Sequence, residues 1–222
     1  MNYCNFETAF SPARLNRYLT ACGGNRRKAM QLYRYNIKLC QKFYGMLNVF
    51  EVILRNAIDN HYSAQFANAD WIQAHLAAGG MLEHAPQNGK TQTLIAELRA
   101  NGRYSSDRVV SGVSFGFWPY FFTRRPFRTG GQTLLRALPG RAHGLNQRTV
   151  YNELQSIKNF RNRIAHHEAI CFNAAGQIDL TTAKENYRLL CNYVAYLGYD
   201  VAGLYRGMDV MPDKLIAAIE NL

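Results

Sequence analysis

Residues 156–168 read Ser156-Ile-Lys-Asn-Phe-Arg161-Asn162-Arg163-Ile164-Ala165-His166-His167-Glu168. The helical period that leads into this polar cluster has an apolar stripe formed by Val150, Leu154, Ile157 and Ile164. Arg161 falls inside that stripe. A guanidinium that faces a core must be paired or must open onto a cavity, because burying an unpaired charge is costly. The segment therefore predicts a helix over 148–165 that carries one arginine on its inner face.

The histidines that follow this arginine pose a geometric condition. On an uninterrupted helix, at about 100° per residue, His166 points about 140° away from Arg161. The two side chains can share a site only if the helix ends near Ala165, or if two copies of the chain each contribute part of the site.

The run from Arg161 to His166 fits a pattern of arginine, a polar residue, three further residues and histidine. This pattern resembles the signature of HEPN ribonucleases. The flanking Phe160 and His167-Glu168 make it similar to the Abi-like (abortive-infection) branch of that superfamily. Two more segments resemble the same branch, at its first long helix and its aromatic middle segment: Glu51-Val-Ile-Leu-Arg55-Asn56-Ala-Ile58 and Val113-Ser-Phe-Gly-Phe-Trp118-Pro.

The fold expected from period and resemblance is all-α, a HEPN-like helical bundle in a single domain over residues 1–222. Its core is predicted at about 25–68 and 148–198, with a helical insertion at about 70–147 between the first long helix and the motif helix. The long helix, with a possible bend at Gly45, is predicted from an apolar face made up of Met30, Tyr33, Ile37, Phe43, Leu47, Phe50, Leu54 and Ile58. A small ribbon is predicted for 170–172 and 177–180.

The resemblance implies a metal-independent endoribonuclease that needs no cofactor and cuts single-stranded RNA to 2′,3′-cyclic phosphate and 5′-hydroxyl ends. RNA carries its own nucleophile, the ribose 2′-hydroxyl, so the site must supply a base, an acid and charge stabilisation. Arg161 would bind the phosphate, Asn162 would orient a histidine or donate to the phosphate, and His166 would transfer the proton, with His167 as its substitute. The family builds its site at a dimer interface, so a homodimer with a composite site is expected.

Two further groups of residues are predicted to assist. The supporting group lies on the long helix, which the resemblance maps beside the motif helix, and comprises Glu51, Arg55 and Asn56. Because Glu51 and Arg55 lie four apart, a purely structural ion pair is the alternative for them. The RNA-binding group comprises Lys158, Arg163, Arg124, Arg125 and Arg128. The last three follow a segment dense in aromatic residues, most of which are expected to be core.

Composition points to a polyanionic partner and to a reducing compartment. The 222 residues carry 26 Lys and Arg against 15 Asp and Glu, which gives a net charge of +11. The five cysteines are odd in number and form no CxxC pair, which is typical of reduced thiols. No signal peptide and no membrane-spanning run is visible, so a cytoplasmic protein without membrane contact is expected. The resemblance adds a role as a growth-arresting toxin in phage defence, restrained by an antitoxin that is a protein or a small RNA.

Three alternatives remain open at the level of sequence. A non-catalytic RNA-binding or regulatory module on the same fold fits the charge equally well. A structural Arg161, paired with Glu51 across the bundle, would explain the arginine but not the histidines. A zinc site at His166, His167 and Glu168 is the weakest of the three, because these residues lack HExxH spacing.

Overall fold

The computed structural model describes residues 2–222, and this part of the chain is all-α, as the sequence predicts. Its helices are α1 (Tyr3–Phe10), α2 (Pro12–Ala21), α3 (Arg26–Phe66), α4 (Trp71–Ala74), α5 (Asn88–Ala100), α6 (Ser106–Gly112), α7 (Phe117–Tyr120), α8 (Arg124–Thr129), α9 (Gln147–Ala165), α10 (Thr181–Tyr196), α11 (Val201–Leu204) and α12 (Asp213–Glu220), with a 3₁₀ turn at Leu134–Ala137. None of these helices has both the length and the apolarity that crossing a bilayer requires.

The predicted ribbon is reduced to a single bridge between Phe172 and Ile178, with no strand on either side among the described residues. The intervening turn is closed by Asn173 and Gln177, which bond each other through backbone and side chain.

The chain divides into two compact units. Unit 1 comprises the described residues up to Asn48, together with Phe160–Leu190 and Tyr205–Leu222. Unit 2 comprises Val49–Asn159 and Cys191–Leu204. Helices α3 and α9 each contribute one part to unit 1 and the other part to unit 2.

Local capping explains how unit 1 begins. The Ser11 hydroxyl accepts the Arg14 N–H at 3.4 Å, and Pro12 occupies the first turn of α2. The helix stops before Gly23, whose φ is +59°. Asn25 then accepts the Lys28 N–H at 3.1 Å and caps α3.

Helix α3 continues through Gly45, where the sequence raised the possibility of a bend. A Cβ at this position would lie 2.6 Å from Cγ1 of Val210, closer than two carbons can approach. The same stretch receives a hydrogen bond from the Tyr205 hydroxyl to the Met46 carbonyl, at 3.2 Å. The glycine therefore makes room for the C-terminal segment of unit 1 against α3.

Aromatic rings fill much of the unit 1 core. Tyr33 of α3 meets Phe6 and Tyr18 edge to face at 5.4 and 5.0 Å between centroids, and Tyr18 meets Phe172 in the same way at 5.0 Å. Arg17 covers the outer face of the Phe172 ring at 4.5 Å. These contacts fasten α1 and α2 onto α3 and onto the segment that follows α9.

Unit 2 confirms that most aromatic residues of the middle segment belong to a core. The buried rings of this segment are Phe115, Phe117, Trp118, Phe121 and Phe122. Helix α4 ends after one turn, because the chain folds back so that the Leu82 N–H bonds the His75 carbonyl at 2.9 Å. Only glycine fits at position 80, where a Cβ would lie 2.3 Å from that carbonyl oxygen.

Candidate functional site

The motif helix α9 ends at Ala165, which meets the first of the two geometric conditions set by the sequence. His167 has a φ of +58°, in the left-handed region, and the Glu168 N–H bonds the Arg163 carbonyl at 2.9 Å. This six-to-one bond is the closing bond of a Schellman turn, with histidine in the place that glycine usually takes. The turn reverses the chain and separates the directions of His166 and His167.

Two arginines hold this turn in place. Arg14 of α2 donates to the His167 carbonyl at 2.5 Å. Arg163 donates to the Ala169 carbonyl at 2.6 Å, and its Nε lies 3.4 Å from the Glu168 carboxylate. Arg163, predicted from the sequence to bind RNA, is therefore engaged in bracing the turn.

A groove of about 900 Å³ opens beside the turn, entirely within unit 1. Helices α1 and α2 contribute Ala9, Phe10 and Arg14 to its lining, and α3 contributes Tyr33, Asn36, Ile37, Cys40, Gln41 and Tyr44. The end of α9 contributes Arg161, Ile164 and Ala165, and the turn after it contributes His167 and Glu168.

Arg161 reaches this groove because of a register fixed by two buried rings. Phe43 of α3 and Phe160 of α9 pack edge to face at 4.8 Å between centroids, and both are buried. Each is followed by a residue that lines the groove, Tyr44 in one helix and Arg161 in the other. Arg161 is half-buried, and no described residue of unit 1 bonds its guanidinium. Within that unit, Arg161 opens onto a cavity, which is one of the two environments that its place in the apolar stripe allows.

The other residues of the predicted catalytic set are placed differently. His167 is exposed and lines the groove together with Arg161. His166 is exposed and is absent from the groove lining, as is the half-buried Asn162. The groove thus brings together Arg161 and His167, the histidine that the sequence ranked second.

Cys40 gives the floor of the groove a neutral sulfur. Burial raises the pKa of this thiol to about 11, although the cationic Arg163 and Arg14 act to lower it. Asn36, one turn earlier, is buried, and its Oδ1 accepts the Ile170 N–H at 2.9 Å. The floor is therefore uncharged at neutral pH, and the charged groups stand at the rim.

The predicted supporting residues belong to unit 2. Arg55 and Asn56 line a separate cavity of about 490 Å³, together with Asp59 and Arg108 among others. Nε of Arg55 is buried without a hydrogen-bond partner in the described part of the chain. Glu51 is half-buried one turn earlier in α3. Their assistance to the Arg161 cluster remains a prediction.

The remaining RNA-binding candidates are also in unit 2. Arg124, Arg125 and Arg128 are exposed on α8, where Arg125 forms an ion pair with Glu83 at 2.7 Å. Lys158 is half-buried, with its side chain beside Gly116.

Sequence reasoning missed three residues of the groove. Arg14 sits in a helix that the motif pattern does not include. Ile37, assigned to the buried face of the long helix, is 38% exposed, and Tyr44 is 55% exposed. Ile37 and Tyr44 are seven residues apart and lie within about 20° of each other around α3, so the helical angle that places Tyr44 away from the buried face applies to Ile37 as well.

Within residues 2–222, no group of three or more His, Cys, Asp or Glu side chains is arranged to hold a metal ion. No family model, no curated protein and no solved structure matches the chain. The residues and their geometry are therefore the basis on which a function can be assigned to this groove.

Proposed function

We propose that the protein is a metal-independent endoribonuclease of HEPN type, on a HEPN-like bundle, that cleaves single-stranded RNA to 2′,3′-cyclic phosphate and 5′-hydroxyl ends. The observation that carries the proposal is the groove at the end of α9. Its rim joins Arg161, whose guanidinium is unbonded within unit 1, to His167 and Arg14. Two guanidiniums and an imidazole at one groove form a constellation suited to a phosphodiester.

The reaction follows from these groups. A neutral imidazole removes the proton of the ribose 2′-hydroxyl, and the oxygen attacks the adjacent phosphorus. Arg161 stabilises the charge that develops on the equatorial oxygens. The bond from phosphorus to the 5′-oxygen breaks, and an imidazolium donates a proton to that oxygen. The 2′-oxygen stays bound to phosphorus, which leaves the cyclic phosphate on one product.

Both histidines belong to the proposal, for different reasons. The resemblance assigns proton transfer to His166, which is exposed beyond the end of α9, whereas the groove supports His167. The reaction needs both a base and an acid. One proton-transfer histidine per chain supplies only one of them, and a homodimer that joins two motif helices would supply both. The composite dimeric site, the role as a growth-arresting toxin in phage defence and the restraint by a protein or small RNA rest on the resemblance alone.

The test is cleavage of a labelled single-stranded RNA in excess EDTA. We expect the wild type to produce cyclic phosphate ends, and Arg161→Ala to cut at least about 100-fold more slowly, as expected for the loss of a group that stabilises transition-state charge. Comparison of His166→Ala with His167→Ala identifies the proton-transfer residue by the larger loss. Arg188→Ala, an exposed arginine of unit 1 outside the groove, is the matched control and should cut normally.

If Arg161→Ala still cuts RNA at the wild-type rate, or if neither His166→Ala nor His167→Ala slows cleavage, the chemistry takes place at another site. A wild type that binds RNA but never cuts it would reduce the protein to the non-catalytic RNA-binding module.

A further inference from the structure

The groove lining combines two chemically different groups of side chains. Its polar members include Arg14, Arg161 and His167, together with Glu168, which is in ion-pair contact with Arg163 at 3.4 Å. Its apolar members include Ile37 and Tyr44 of α3 and Phe10 of α1. Such a surface fits a ligand that combines a flat apolar part with an anionic part.

Tyr44 is held rigidly at its backbone while its ring is left uncovered. Its neighbour Phe43 is fully buried against Phe160, and its other neighbour is Gly45, where Val210 packs closely. The Tyr44 side chain is nevertheless 55% exposed, the largest exposed fraction among the large apolar residues of the described chain. A solvent-facing ring at a groove that also carries guanidiniums is suited to stacking on an unpaired base.

Charge decides which class of ligand fits. Residues 1–48 contain the single acidic residue Glu7, against eight basic residues, which are Arg14, Arg17, Arg26, Arg27, Lys28, Arg34, Lys38 and Lys42. Arg27, Arg34 and Lys38 are exposed and fall within about 40° of one another around α3, adjacent to the face that carries Ile37 and Tyr44. A basic stripe on the helix that also supplies Ile37 and Tyr44 complements the backbone of a nucleic acid strand.

We propose that Tyr44 stacks on the unpaired base next to the scissile phosphate, while Arg14 binds the phosphate on the other side of that nucleotide. This inference rests on the proposed ribonuclease function and adds its base-binding subsite. The groove, at about 900 Å³, lies within the range of about 300–1,000 Å³ typical of sites for ligands of this size. The stacked base selects an unpaired strand, because a base within a duplex cannot reach the ring.

The experiment pairs a protein change with a substrate change. An oligoribonucleotide with one mapped cleavage site is prepared intact and with an abasic ribose at each position flanking that site. We expect Tyr44→Ala to cut the intact strand about 10-fold more slowly, as stacking energies of this kind imply. At one abasic position, wild type and Tyr44→Ala should cut at the same rate, because the base that the ring contacts is missing. Tyr44→Phe should behave as wild type, and Tyr199→Ala, which removes an exposed ring of unit 2, is the matched control.

The outcomes separate this inference from the proposed function. If the wild type cuts RNA but Tyr44→Ala slows every abasic substrate as much as the intact strand, stacking is overturned and the ribonuclease stands. If the wild type binds the strand without cutting it, no scissile phosphate exists, and both the proposed function and this inference are overturned. A wild type that neither binds nor cuts RNA overturns both.

Discussion

His167 is the residue on which the arrangement of the site depends most directly. Its left-handed backbone, with φ of +58°, ends α9 and directs its own side chain toward the groove rather than that of His166. Histidine enters this region more readily than most side chains, but without the freedom of glycine. The carbonyl of the same residue accepts the Arg14 guanidinium, so the strained position is held from a distant helix.

The backbone of His167 makes an unusual response to substitution testable. We expect the free energy of unfolding of His167→Gly to equal that of the wild type or to exceed it by up to about 1 kcal/mol, because glycine adopts positive φ without cost. His167→Val should lose about 1–2 kcal/mol, since a β-branched side chain is disfavoured there. Urea denaturation measures both free energies of unfolding.

The neighbouring His166, which has no positive φ, provides the control. His166→Gly should not have a higher free energy of unfolding than His166→Val, in contrast to the same pair of substitutions at position 167. Equal stabilities for His167→Gly and His167→Val would contradict the left-handed turn.

At the scale of elements, α3 positions the segment that follows the motif helix through one buried amide. Asn36 is 5% exposed, and its side-chain oxygen accepts the backbone N–H of Ile170, a residue 134 positions later. The Phe43–Phe160 contact sets the register two turns further along the same helix. Helix α3 is therefore the frame against which the end of α9 and its turn are fixed.

We expect Asn36→Ala to lower the free energy of unfolding by about 1–3 kcal/mol, because it leaves the buried Ile170 N–H without an acceptor. Amide hydrogen exchange in residues 166–172 should accelerate in the same variant. Asn48→Ala, which changes an exposed asparagine of the same helix, is the control for both measurements and should shift neither. An unchanged exchange rate in Asn36→Ala would show that this hydrogen bond does not hold the segment.

At the scale of the whole molecule, positive charge is concentrated in the first 48 residues. Basic residues outnumber acidic residues by seven there, whereas the whole chain carries a net charge of +11. This segment forms α1, α2 and the first part of α3, and it supplies most of the groove lining. A polyanion is therefore expected to approach unit 1 before any other part of the protein.

RNA binding should depend on salt in proportion to these contacts. We expect the triple variant Arg27→Gln, Arg34→Gln, Lys38→Gln to reduce the slope of log affinity against log salt concentration by about 2, at about 0.7 per contacted phosphate of a single strand. Fluorescence anisotropy with a labelled oligonucleotide, at several salt concentrations, measures the slope.

The control removes the same charge from unit 2, through glutamine at the exposed residues Lys90, Arg103 and Arg148. This second variant should keep a slope near that of the wild type. If the control reduces this slope more than the α3 variant does, RNA does not bind along the groove.

Local physics made much of this protein predictable from its residues. The helix that ends at Ala165 and the all-α class depend on contacts within one or two helical turns, which the sequence displays directly. The place of Arg161 in an apolar stripe likewise restricted it to a partner or a cavity, because a guanidinium cannot lie unpaired in a core.

The tertiary structure alone decided which residues share that cavity. His167 faces the groove because Arg14, 153 positions away, holds its turn, and Ile37 is exposed although the sequence assigned it to the buried face of the long helix. Gly45 accommodates Val210 within an unbroken helix, so its role depends on a segment 165 positions away. Contacts between distant segments depend on the shapes and registers of all the elements that pack together, and a period read along one helix carries no information about them.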